Sequence, residues 1–402
     1  MEAESSTGGV PPLPWFANPG ARSWACATPG AVRSGEVRAF HRALPGYAPT
    51  PLTEAPALAA ELGAGRVFVK DESNRLGLPA FKVLGASWAV RQLLVGGPGR
   101  PEAVTSGAVT SETVTPDALR SLAAGRPGLA FVTATDGNHG RAVARMARLV
   151  GAPAHVFVPA VAQPSVVAAI AGEGAEVTQV AGSYDEAVAA AAAWARGRPG
   201  AELVQDTAWP GYEQVPGWIV EGYSTLFAET DAQLAAAGAA PPDLVVVPVG
   251  VGSLAQAAVA HYRAEDAPPV AEPRTGTALL AVEPDTAACL LASLRAGRPA
   301  SVATAGTIMA GLNCGTVSTT AWPYLSAGLD AAVAVGDAAA RRAVADLAAA
   351  GISAGPSGAA PLAGARAALT GPGSAGRRAV LAAAGEPVVV LLSTEAGDVP
   401  GP

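Results

Sequence analysis

The residue type that stands out in this sequence is lysine, because only Lys70 and Lys82 occur among 402 residues. Nearly all of the 26 Lys and Arg residues are arginine, which serves wherever only positive charge is needed. A retained lysine can do what a guanidinium cannot, which is to lose its proton and attack a carbonyl as a primary amine. We therefore interpret Lys82, which follows a predicted strand and a polar loop, as a candidate nucleophile. The alternative is that both are ordinary surface lysines.

A glycine-containing loop, Thr135 to Gly140, follows the predicted buried strand Leu129 to Thr133 and combines a hydroxyl, a carboxylate, an amide and an imidazole. Its backbone N–H groups suit a substrate carboxylate, with Asn138 donating to another oxygen. Asp136 is unexpected there, because a carboxylate repels an anion. It indicates a residue that handles a proton or an ammonium group, and the alternative is a helix N-cap.

A second glycine loop comes directly after Asp243 to Val249, the most continuous predicted strand of the chain, and matches G-x-G-x-x-A. Successive N–H groups with no Cβ in the way, backed by a helix N-terminus, can bind a phosphate. The same pattern fits a dinucleotide fold, in which Glu265 and Asp266 would be ribose ligands. It also fits a tight turn without a ligand. The candidate phosphate-binding residues are Gly250, Val251, Gly252, Ser253 and Leu254.

The elements that must position these residues alternate along the chain. Predicted helices, several of ten or more residues, separate predicted strands at 67–69, 129–133, 155–158, 175–180 and 243–249. This alternation predicts an α/β protein whose parallel sheet is covered by helices on both faces. A long helix is predicted from Ile219 to Ala237, and a C-terminal strand from Pro387 to Leu392.

The composition argues against several classes of protein. A net charge of −7 and a pI of about 5.2 lack the basic excess of a nucleic-acid binder, which leaves small molecules or proteins as partners. No apolar run approaches the roughly 18 residues of a membrane span, and the acidic N-terminus does not resemble a signal peptide. We therefore expect a cytoplasmic protein without membrane contact. Three cysteines and four histidines show no metal-binding spacing, so we expect no metal.

Together these features resemble the fold-type II pyridoxal-phosphate enzymes, the group of tryptophan synthase β and threonine deaminase. More narrowly, the chain resembles the diaminopropionate ammonia-lyase family from about Val37 to Asp398. The blocks that carry this resemblance are KDESNRLGLPAFKVLG (70–85), TATDGNHGRAVA (133–144), QDTAWPGYEQVPGWIVEGYSTL (205–226), VEPDTAACL (282–290), TIMAGLNCG (307–315) and LLSTEAGD (391–398).

The resemblance implies a fold of two open, twisted, mostly parallel sheets with helices on both faces. Pyridoxal 5′-phosphate would lie in a cleft between a large and a small domain, and the protein would be a homodimer. We predict an irregular N-terminal arm at 1–36, a large domain at 37–84 and 200–402, and a small domain at 85–199.

For the cofactor, the resemblance implies a Schiff base to Lys82 and a phosphate held by residues 250–254. Asn138 would approach the ring hydroxyl. Ser393 or Thr394 would approach the pyridine nitrogen, where a neutral hydroxyl leaves the ring a moderate electron sink.

For the substrate, the resemblance implies a role for two carboxylates. In the family an acid at the position of Asp136 is tied to a diamino substrate and to acceptance of the D-isomer, and Asp206 resembles the second family carboxylate. Lys82 would remove the Cα proton of an L-substrate and Asp136 that of a D-substrate, from opposite faces. The implied substrate-binding residues are Thr135, Asp136, Gly137, His139 and Asp206.

The implied activity is elimination of the β-amino group of 2,3-diaminopropionate, which gives pyruvate and two ammonia. One alternative is β-elimination or β-replacement on another β-substituted amino acid, as in a serine or threonine dehydratase or a biosynthetic relative. A second is a non-catalytic relative that keeps the cofactor. A third is a nucleotide-binding oxidoreductase, which would leave Lys82 and Asp136 unexplained.

Some residues depart from the family pattern and bear on the substrate more than on the reaction type. These departures fall at Pro79, Ala162 to Val166, Asn313 and Thr316 to Thr320. Cys289 and Cys314 lie in two family blocks that would allow them to approach one another. Free thiols are expected in a cytoplasmic protein, with a disulfide as the alternative.

Overall fold

The computed structural model of the protein describes residues 13–21, 34–96, 114–263, 276–383 and 385–397. These residues form eleven strands in two sheets. The strands are β1 (Trp15–Ala17), β2 (Leu52–Glu54), β3 (Arg66–Asp71), β4 (Ala130–Ala134), β5 (Ala154–Pro159), β6 (Glu176–Val180), β7 (Ala201–Leu203), β8 (Leu244–Pro248), β9 (Ala278–Pro284), β10 (Ala331–Val335) and β11 (Val388–Ser393).

Most of the helices lie between successive strands in the chain. A single 3-10 turn, Ala310–Leu312, is also present among the described residues. The α-helices are α1 (Ser34–Ala43), α2 (Pro56–Leu62), α3 (Lys82–Gly96), α4 (Pro116–Ala124), α5 (Asn138–Val150), α6 (Pro164–Gly172), α7 (Tyr184–Arg196), α8 (Gln214–Gly222), α9 (Ser224–Ala236), α10 (Ser253–Tyr262), α11 (Cys289–Ala296), α12 (Trp322–Gly328), α13 (Asp337–Ala349), α14 (Pro356–Leu369) and α15 (Ser374–Val380).

The larger sheet has the order β1-β10-β9-β8-β11-β3-β2, and the smaller has the order β6-β5-β4-β7. The smaller sheet is entirely parallel. In the larger sheet only the two edge strands, β1 and β2, pair antiparallel with their neighbours. Each edge strand has three residues, and short edges limit pairing with other chains. The predicted fold class, α/β with mostly parallel sheets, is confirmed.

The central strands are apolar on both faces, as parallel sheets require when helices cover both sides. In β8 every residue is buried. Val245 and Val247 pack into one hydrophobic cluster, whereas Leu244 and Val246 pack into a second cluster on the other face. This alternation follows from the two-residue repeat of a strand, so one apolar run supplies two cores.

The N-terminal arm predicted over 1–36 is not wholly irregular. β1 pairs with β10, and the Asn18 amide donates to the carbonyl oxygens of Ser326, at 2.7 Å, and Leu329, at 2.9 Å. This part of the arm therefore closes one edge of the larger sheet. α1 begins at Ser34, and the rest of the predicted arm lies outside the described residues.

Two predicted domain boundaries differ from the sheet topology. β7 pairs with β4, so the smaller sheet continues past residue 199, where the small domain was predicted to end. The boundary predicted between residues 84 and 85 falls inside α3. A strand of three half-buried residues carries little sequence pattern, and its partner is decided only by the tertiary structure. The division into two domains stays a prediction.

The helix predicted from Ile219 to Ala237 is wrong in its extent. The structure has two helices, α8 and α9, separated by Tyr223. α8 begins five residues earlier than predicted, and it includes Pro216 in its first turn, where no backbone N–H is needed. β10 and α14 were not predicted, and α14 contains Pro361, a residue that usually ends a helix.

Candidate active site

A cavity of about 1050 Å³ lies where the carboxyl ends of β3, β4, β8 and β11 meet their following loops. In open parallel sheets this edge is the usual place for ligands. The chain thus brings together several segments that are far apart in sequence. Polar and loop residues on the cavity wall include Lys82, Thr135, Asp136, Gly137, Asn138, His139, Tyr184, Asp206, Gly250, Val251, Gly252, Ser253, Leu254, Thr394 and Glu395.

Lys82 is the first residue of α3, and its position depends on a close contact between α3 and α8. A Cβ on Gly85 would lie 2.6 Å from Ile219 Cγ2, and one on Gly222 would lie 2.5 Å from the Leu84 carbonyl oxygen. Only glycine at both places lets the helices approach this closely. The packing of α3 against α8 therefore fixes the start of α3, and with it Lys82, at the cavity wall.

The Lys82 ammonium donates to Asp206 Oδ2 at 2.6 Å. Burial opposes the charge on this lysine, but the neighbouring Asp206 carboxylate raises the pKa of Lys82 above its usual value. Burial alone would raise the pKa of Asp206, but His139, when it is protonated in acid, and Lys82 lower it to about 2. The two side chains therefore form a charged pair at the cavity wall.

His139 packs beside this pair. Its Nε2 lies 2.7 Å from the Val204 carbonyl oxygen, which can only accept, so Nε2 carries a proton. Its Nδ1 lies 3.8 Å from Asp206 Oδ2 and has no hydrogen-bond partner. Because burial lowers the pKa of His139, the ring is neutral near pH 7 and presents an unprotonated nitrogen toward Asp206.

Asp136 is half-buried on the same cavity. Burial, assisted by the negative charge of Asp206, raises the pKa of Asp136 to about 7. A carboxyl group with that pKa gains and loses a proton readily near neutral pH, which suits a general base or acid. Asp136 and Asp206 are therefore two carboxyl groups of the same cavity with opposite pKa shifts.

The loop before α5 is shaped by Thr135. Its hydroxyl oxygen accepts from the backbone N–H groups of Gly137, at 2.9 Å, and Gly140, at 3.1 Å. A Cβ on Gly140 would lie 2.4 Å from Thr135 Cγ2, so glycine is required there. Two of the loop N–H groups predicted to bind substrate are therefore already engaged. The N-terminus of α5, which begins at Asn138, is left to face an anion.

The loop from Gly250 to Leu254 connects β8 to α10. Gly252 has φ +99°, a left-handed conformation that favours glycine, and a Cβ there would lie 2.6 Å from Leu325. Ser253 Oγ donates to the Asp206 backbone carbonyl at 2.8 Å. Glycine-exposed backbone at the start of a ten-residue helix fits a phosphate group. The Ser253 contact ties this loop to the segment that holds Asp206.

The two hydroxyls predicted at a pyridine nitrogen differ in position. Thr394 lies on the cavity wall. Ser393 is buried, its Oγ has no hydrogen-bond partner, and it is not part of the cavity lining that the structure describes. Asn138 lines the cavity and donates through Nδ2 to Glu395 Oε2 at 2.9 Å. The ligand contacts of all three stay predictions.

Two functional candidates, Glu395 and Tyr184, were not predicted from the sequence. Glu395 follows the predicted C-terminal strand and the two hydroxyls directly, so an acid at a parallel strand end was the available signal. The Tyr184 hydroxyl accepts from Gln205 Nε2 at 2.8 Å, and that same nitrogen lies 3.3 Å from Asp206 Oδ1. No local pattern connects Tyr184 with Asp206.

Several other expectations concern residues near or outside the cavity. Glu265, Asp266 and Cys26 lie outside the described residues. Cys289 and Cys314 are free thiols. The described ranges contain no group of three or more His, Cys, Asp or Glu side chains able to hold a metal ion. Among the same residues, no helix combines the length and apolarity needed to cross a membrane.

Comparison with known proteins agrees with this architecture and site. A family model described as pyridoxal-phosphate dependent enzyme matches residues 43–385. The chain belongs to this family of pyridoxal-phosphate dependent enzymes. Its cofactor is pyridoxal 5′-phosphate, as predicted, and the loop at 250–254 together with Lys82 provides groups that fit a phosphate and an aldehyde.

The predicted resemblance to diaminopropionate ammonia-lyases is also confirmed. The enzyme from Salmonella typhimurium is 38% identical over 296 residues, covering 72% of this chain and 69% of that protein. A crystal structure of diaminopropionate ammonia-lyase from Escherichia coli, in complex with an aminoacrylate-PLP azomethine reaction intermediate, superposes with a TM-score of 0.80. It is 31% identical and covers 95% of this chain and 93% of that chain. Maize serine racemase, at 22% identity and a TM-score of 0.68, shares the fold.

Proposed function

We propose that this enzyme eliminates the β-amino group of 2,3-diaminopropionate, as the D- or L-isomer, to give pyruvate and two ammonia. The observation that carries the proposal is the presence of two carboxyl groups, Asp136 and Asp206, on one cavity with Lys82. A substrate with two amino groups carries up to two positive charges, and two acids can balance them. The similarity to diaminopropionate ammonia-lyases supports the same substrate.

When bound, pyridoxal 5′-phosphate supplies an electron sink that makes the substrate Cα proton removable and the β-amino group a leaving group. The residues that would hold it are Lys82, through its amine, and the loop at 250–254, through backbone N–H groups and the N-terminus of α10. Asp206, at 2.6 Å from Lys82 Nζ, balances positive charge at that nitrogen. The Asn138 amide and the Thr394 hydroxyl would contact the ring.

Proton transfer is assigned to two groups on opposite sides of the bound substrate. The Lys82 amine would take the Cα proton of the L-isomer, and Asp136 that of the D-isomer. The raised pKa of Asp136, about 7, supports this role because an appreciable fraction of the group is ionised near neutral pH. The substrate carboxylate would lie at the N-terminus of α5, beside Asn138 and His139.

The second candidate function is β-elimination or β-replacement on another β-substituted amino acid. One observation favours it. Pro79, Gln163, Ser165 and Val166, which depart from the family pattern or lie in a segment that does, all line the cavity. Changes on the wall where a substrate enters would alter substrate choice while Lys82 and the cofactor contacts stay the same.

We also propose a cytoplasmic location and a homodimer. The location is supported by the free thiols of Cys289 and Cys314, which persist in a reducing compartment. The homodimer is supported only by the resemblance to the family. Light scattering coupled to gel filtration tests the second proposal, with a mass of about twice 39.6 kDa as the expected result.

The decisive experiment incubates the purified holoenzyme with D- or L-2,3-diaminopropionate and measures pyruvate and ammonia together. Two ammonia per pyruvate, with at least one isomer, is the expected result. Lys82→Arg, which keeps the positive charge but removes the primary amine, is the matched control and should give no product. A holoenzyme inert to both isomers but active on serine or another β-substituted amino acid would replace this function with the second candidate.

A further inference from the structure

Glu395 occupies a position between the two sheets that no predicted role explains. Its carboxylate is half-buried on the cavity wall, directly after β11 and the Thr394 hydroxyl. Its Oε2 accepts from Asn138 Nδ2 at 2.9 Å, and its Oε1 accepts from the Ser357 backbone N–H at 3.1 Å. Asn138 begins α5, which follows β4 of the smaller sheet, whereas Ser357 lies in the first turn of α14, which packs on the larger sheet. One carboxylate therefore connects both sides of the cavity.

The backbone around Glu395 leaves this carboxylate little freedom. The Gly355 N–H donates to the Glu395 carbonyl at 3.0 Å, and the Ala396 N–H donates to the Pro79 carbonyl at 2.8 Å. A Cβ on Gly355 would lie 3.0 Å from Glu395 Oε1, and one on Gly358 would lie 2.8 Å from the Glu395 carbonyl oxygen. Glycine at these two places lets the start of α14 approach the strand end closely.

The arrangement determines which way the Asn138 amide faces. Burial raises the pKa of the Glu395 carboxyl, and the hydrogen bonds from Ser357 and Asn138 oppose that rise because they favour the ionised form. An ionised carboxylate only accepts hydrogen bonds. Asn138 donates through Nδ2 to Glu395 Oε2, so its NH₂ group, and not its carbonyl oxygen, faces Glu395. One amide N–H is used by Glu395, and the other is left for an acceptor in the cavity.

We propose that Glu395 is a positioning residue that orients the Asn138 amide so that it donates to the ring oxygen of pyridoxal 5′-phosphate. This inference rests on the role of Asn138 in the proposed function, and it adds a residue and a direction to that role. Without Glu395, the amide can turn by 180° and present its carbonyl oxygen to the same ring atom. The Asn138 carbonyl oxygen, which only accepts, would then face the ring oxygen in place of the NH₂ donor.

The isosteric variant Glu395→Gln tests the direction of the amide. The carbonyl oxygen of the introduced glutamine has to accept from the Ser357 N–H, so its NH₂ faces Asn138, which must flip to accept. Glu395→Ala leaves the amide free to take either orientation. A positioning role therefore predicts that Glu395→Gln perturbs the cofactor more than Glu395→Ala does. A purely structural role predicts the reverse order, because alanine leaves the larger cavity.

The experiment titrates each apoprotein with pyridoxal 5′-phosphate and measures the dissociation constant and the pH midpoint of the visible absorbance of the bound cofactor. Loss of one charge-supported hydrogen bond predicts binding weakened about tenfold in Glu395→Gln. It also predicts a midpoint shifted by about one pH unit. The effects in Glu395→Ala should be smaller. Asp330→Asn is the control for the loss of a buried negative charge, because Asp330 is a buried carboxylate that accepts from the Leu279 N–H and from Arg263 Nη2, at 2.7 Å each, before β10 and away from the cavity.

An unchanged midpoint in Glu395→Gln, or an Ala variant more perturbed than the Gln variant, would overturn the positioning role. A midpoint that moves equally in Asp330→Asn would also overturn it. The test uses no substrate, so it is independent of the proposed function. A wild-type protein that binds the cofactor but leaves diaminopropionate intact would contradict the proposed function without contradicting this inference. Lower thermal stability with normal cofactor spectra would assign Glu395 a structural role only.

Discussion

The two lysines of the chain occupy contrasting surroundings. Lys70 is fully buried in β3, and its ammonium donates to the Thr50 carbonyl at 2.8 Å, Glu229 Oε2 at 2.8 Å and Gln233 Oε1 at 2.9 Å. All three of its N–H groups are therefore used. Arg75 pairs with Glu229 and Glu72 in the same network, so two cations meet two carboxylates.

Within the part of the chain that the structure describes, the charged partner of Lys82 is Asp206, and the Lys82 side chain is 23% exposed to the cavity. His139 Nδ1 nearby lacks a partner, and Asp136 has a pKa raised to about 7. The difference between the surroundings of Lys70 and Lys82 shows how charged residues that stabilise the fold can be distinguished from charged residues that act on a ligand. Where every buried polar atom is paired, the charges hold the fold together; where pairing is incomplete beside a cavity, the groups are available to a ligand.

The same substitution at both lysines tests this comparison most strongly at Lys82. Lys82→Met should lower turnover by about 10⁴-fold, because both the attachment point and a proton carrier are lost. Its free energy of unfolding in urea should fall less than that of Lys70→Met, since Asp206 lines the cavity and water there can solvate it. Turnover within tenfold of the wild type would contradict the assignment of Lys82.

A second test separates Asp136 from Lys82 by stereochemistry. Asp136→Asn should lower turnover of D-2,3-diaminopropionate by about 10²-fold and leave the L-isomer within a few fold, because only the D-isomer needs this base. In the wild type, kcat/KM for the D-isomer should rise as pH increases through about 7, where Asp136 loses its proton. Equal losses for both isomers would assign Asp136 to binding and not to proton removal.

The pKa of Asp136 also predicts the pH dependence of stability. The folded pKa, about 7, lies above the ordinary value of 3.8, so the folded protein holds this proton more tightly than the unfolded chain does. Asp136 therefore favours folding least above pH 7, and its contribution declines as pH rises from about 4 to 7. Urea unfolding of Asp136→Asn across this range should show a shallower decline than the wild type.

At Lys70 the expected result is the opposite of that at Lys82. Lys70→Met leaves Glu72 and Glu229 with only Arg75, and the uncompensated buried charge should cost about 3 kcal/mol of unfolding free energy. Turnover by the folded fraction of Lys70→Met should stay within about threefold of the wild-type value. Lys70→Arg, which keeps the positive charge, should lower the unfolding free energy by less than Lys70→Met does. A catalytic defect at Lys70 without loss of stability would show that the contrast between the two lysines is wrong.

The smallest effect is expected at Tyr184. Tyr184→Phe removes the acceptor of Gln205 Nε2, which still has Asp206 Oδ1 at 3.3 Å. Loss of one neutral hydrogen bond of about 1 kcal/mol predicts a roughly fivefold decrease in kcat/KM. A decrease beyond a hundredfold would mean that the hydroxyl itself contacts the substrate.

Much of the fold could be predicted because its elements are local. The apolar run of β8 and the glycine loop after it lie next to one another in the chain, as do β4 and the loop from Thr135 to Gly140. The failures have local causes as well. The three half-buried residues of β7 do not indicate which strand they pair with, and Pro216 and Pro361 lie inside helices where a proline usually indicates an end.

The sequence by itself determined the candidate lysine, the two glycine loops and the family resemblance, because each depends on residues close together in the chain. Only the tertiary structure decided which distant side chains meet. Asp206 reaches Lys82 across 124 residues, and Glu395 reaches Asn138 across 257. Strand order in the two sheets decides these pairings, and that order follows from how apolar faces pack together. The packing of the core therefore determines which partner each of these side chains contacts.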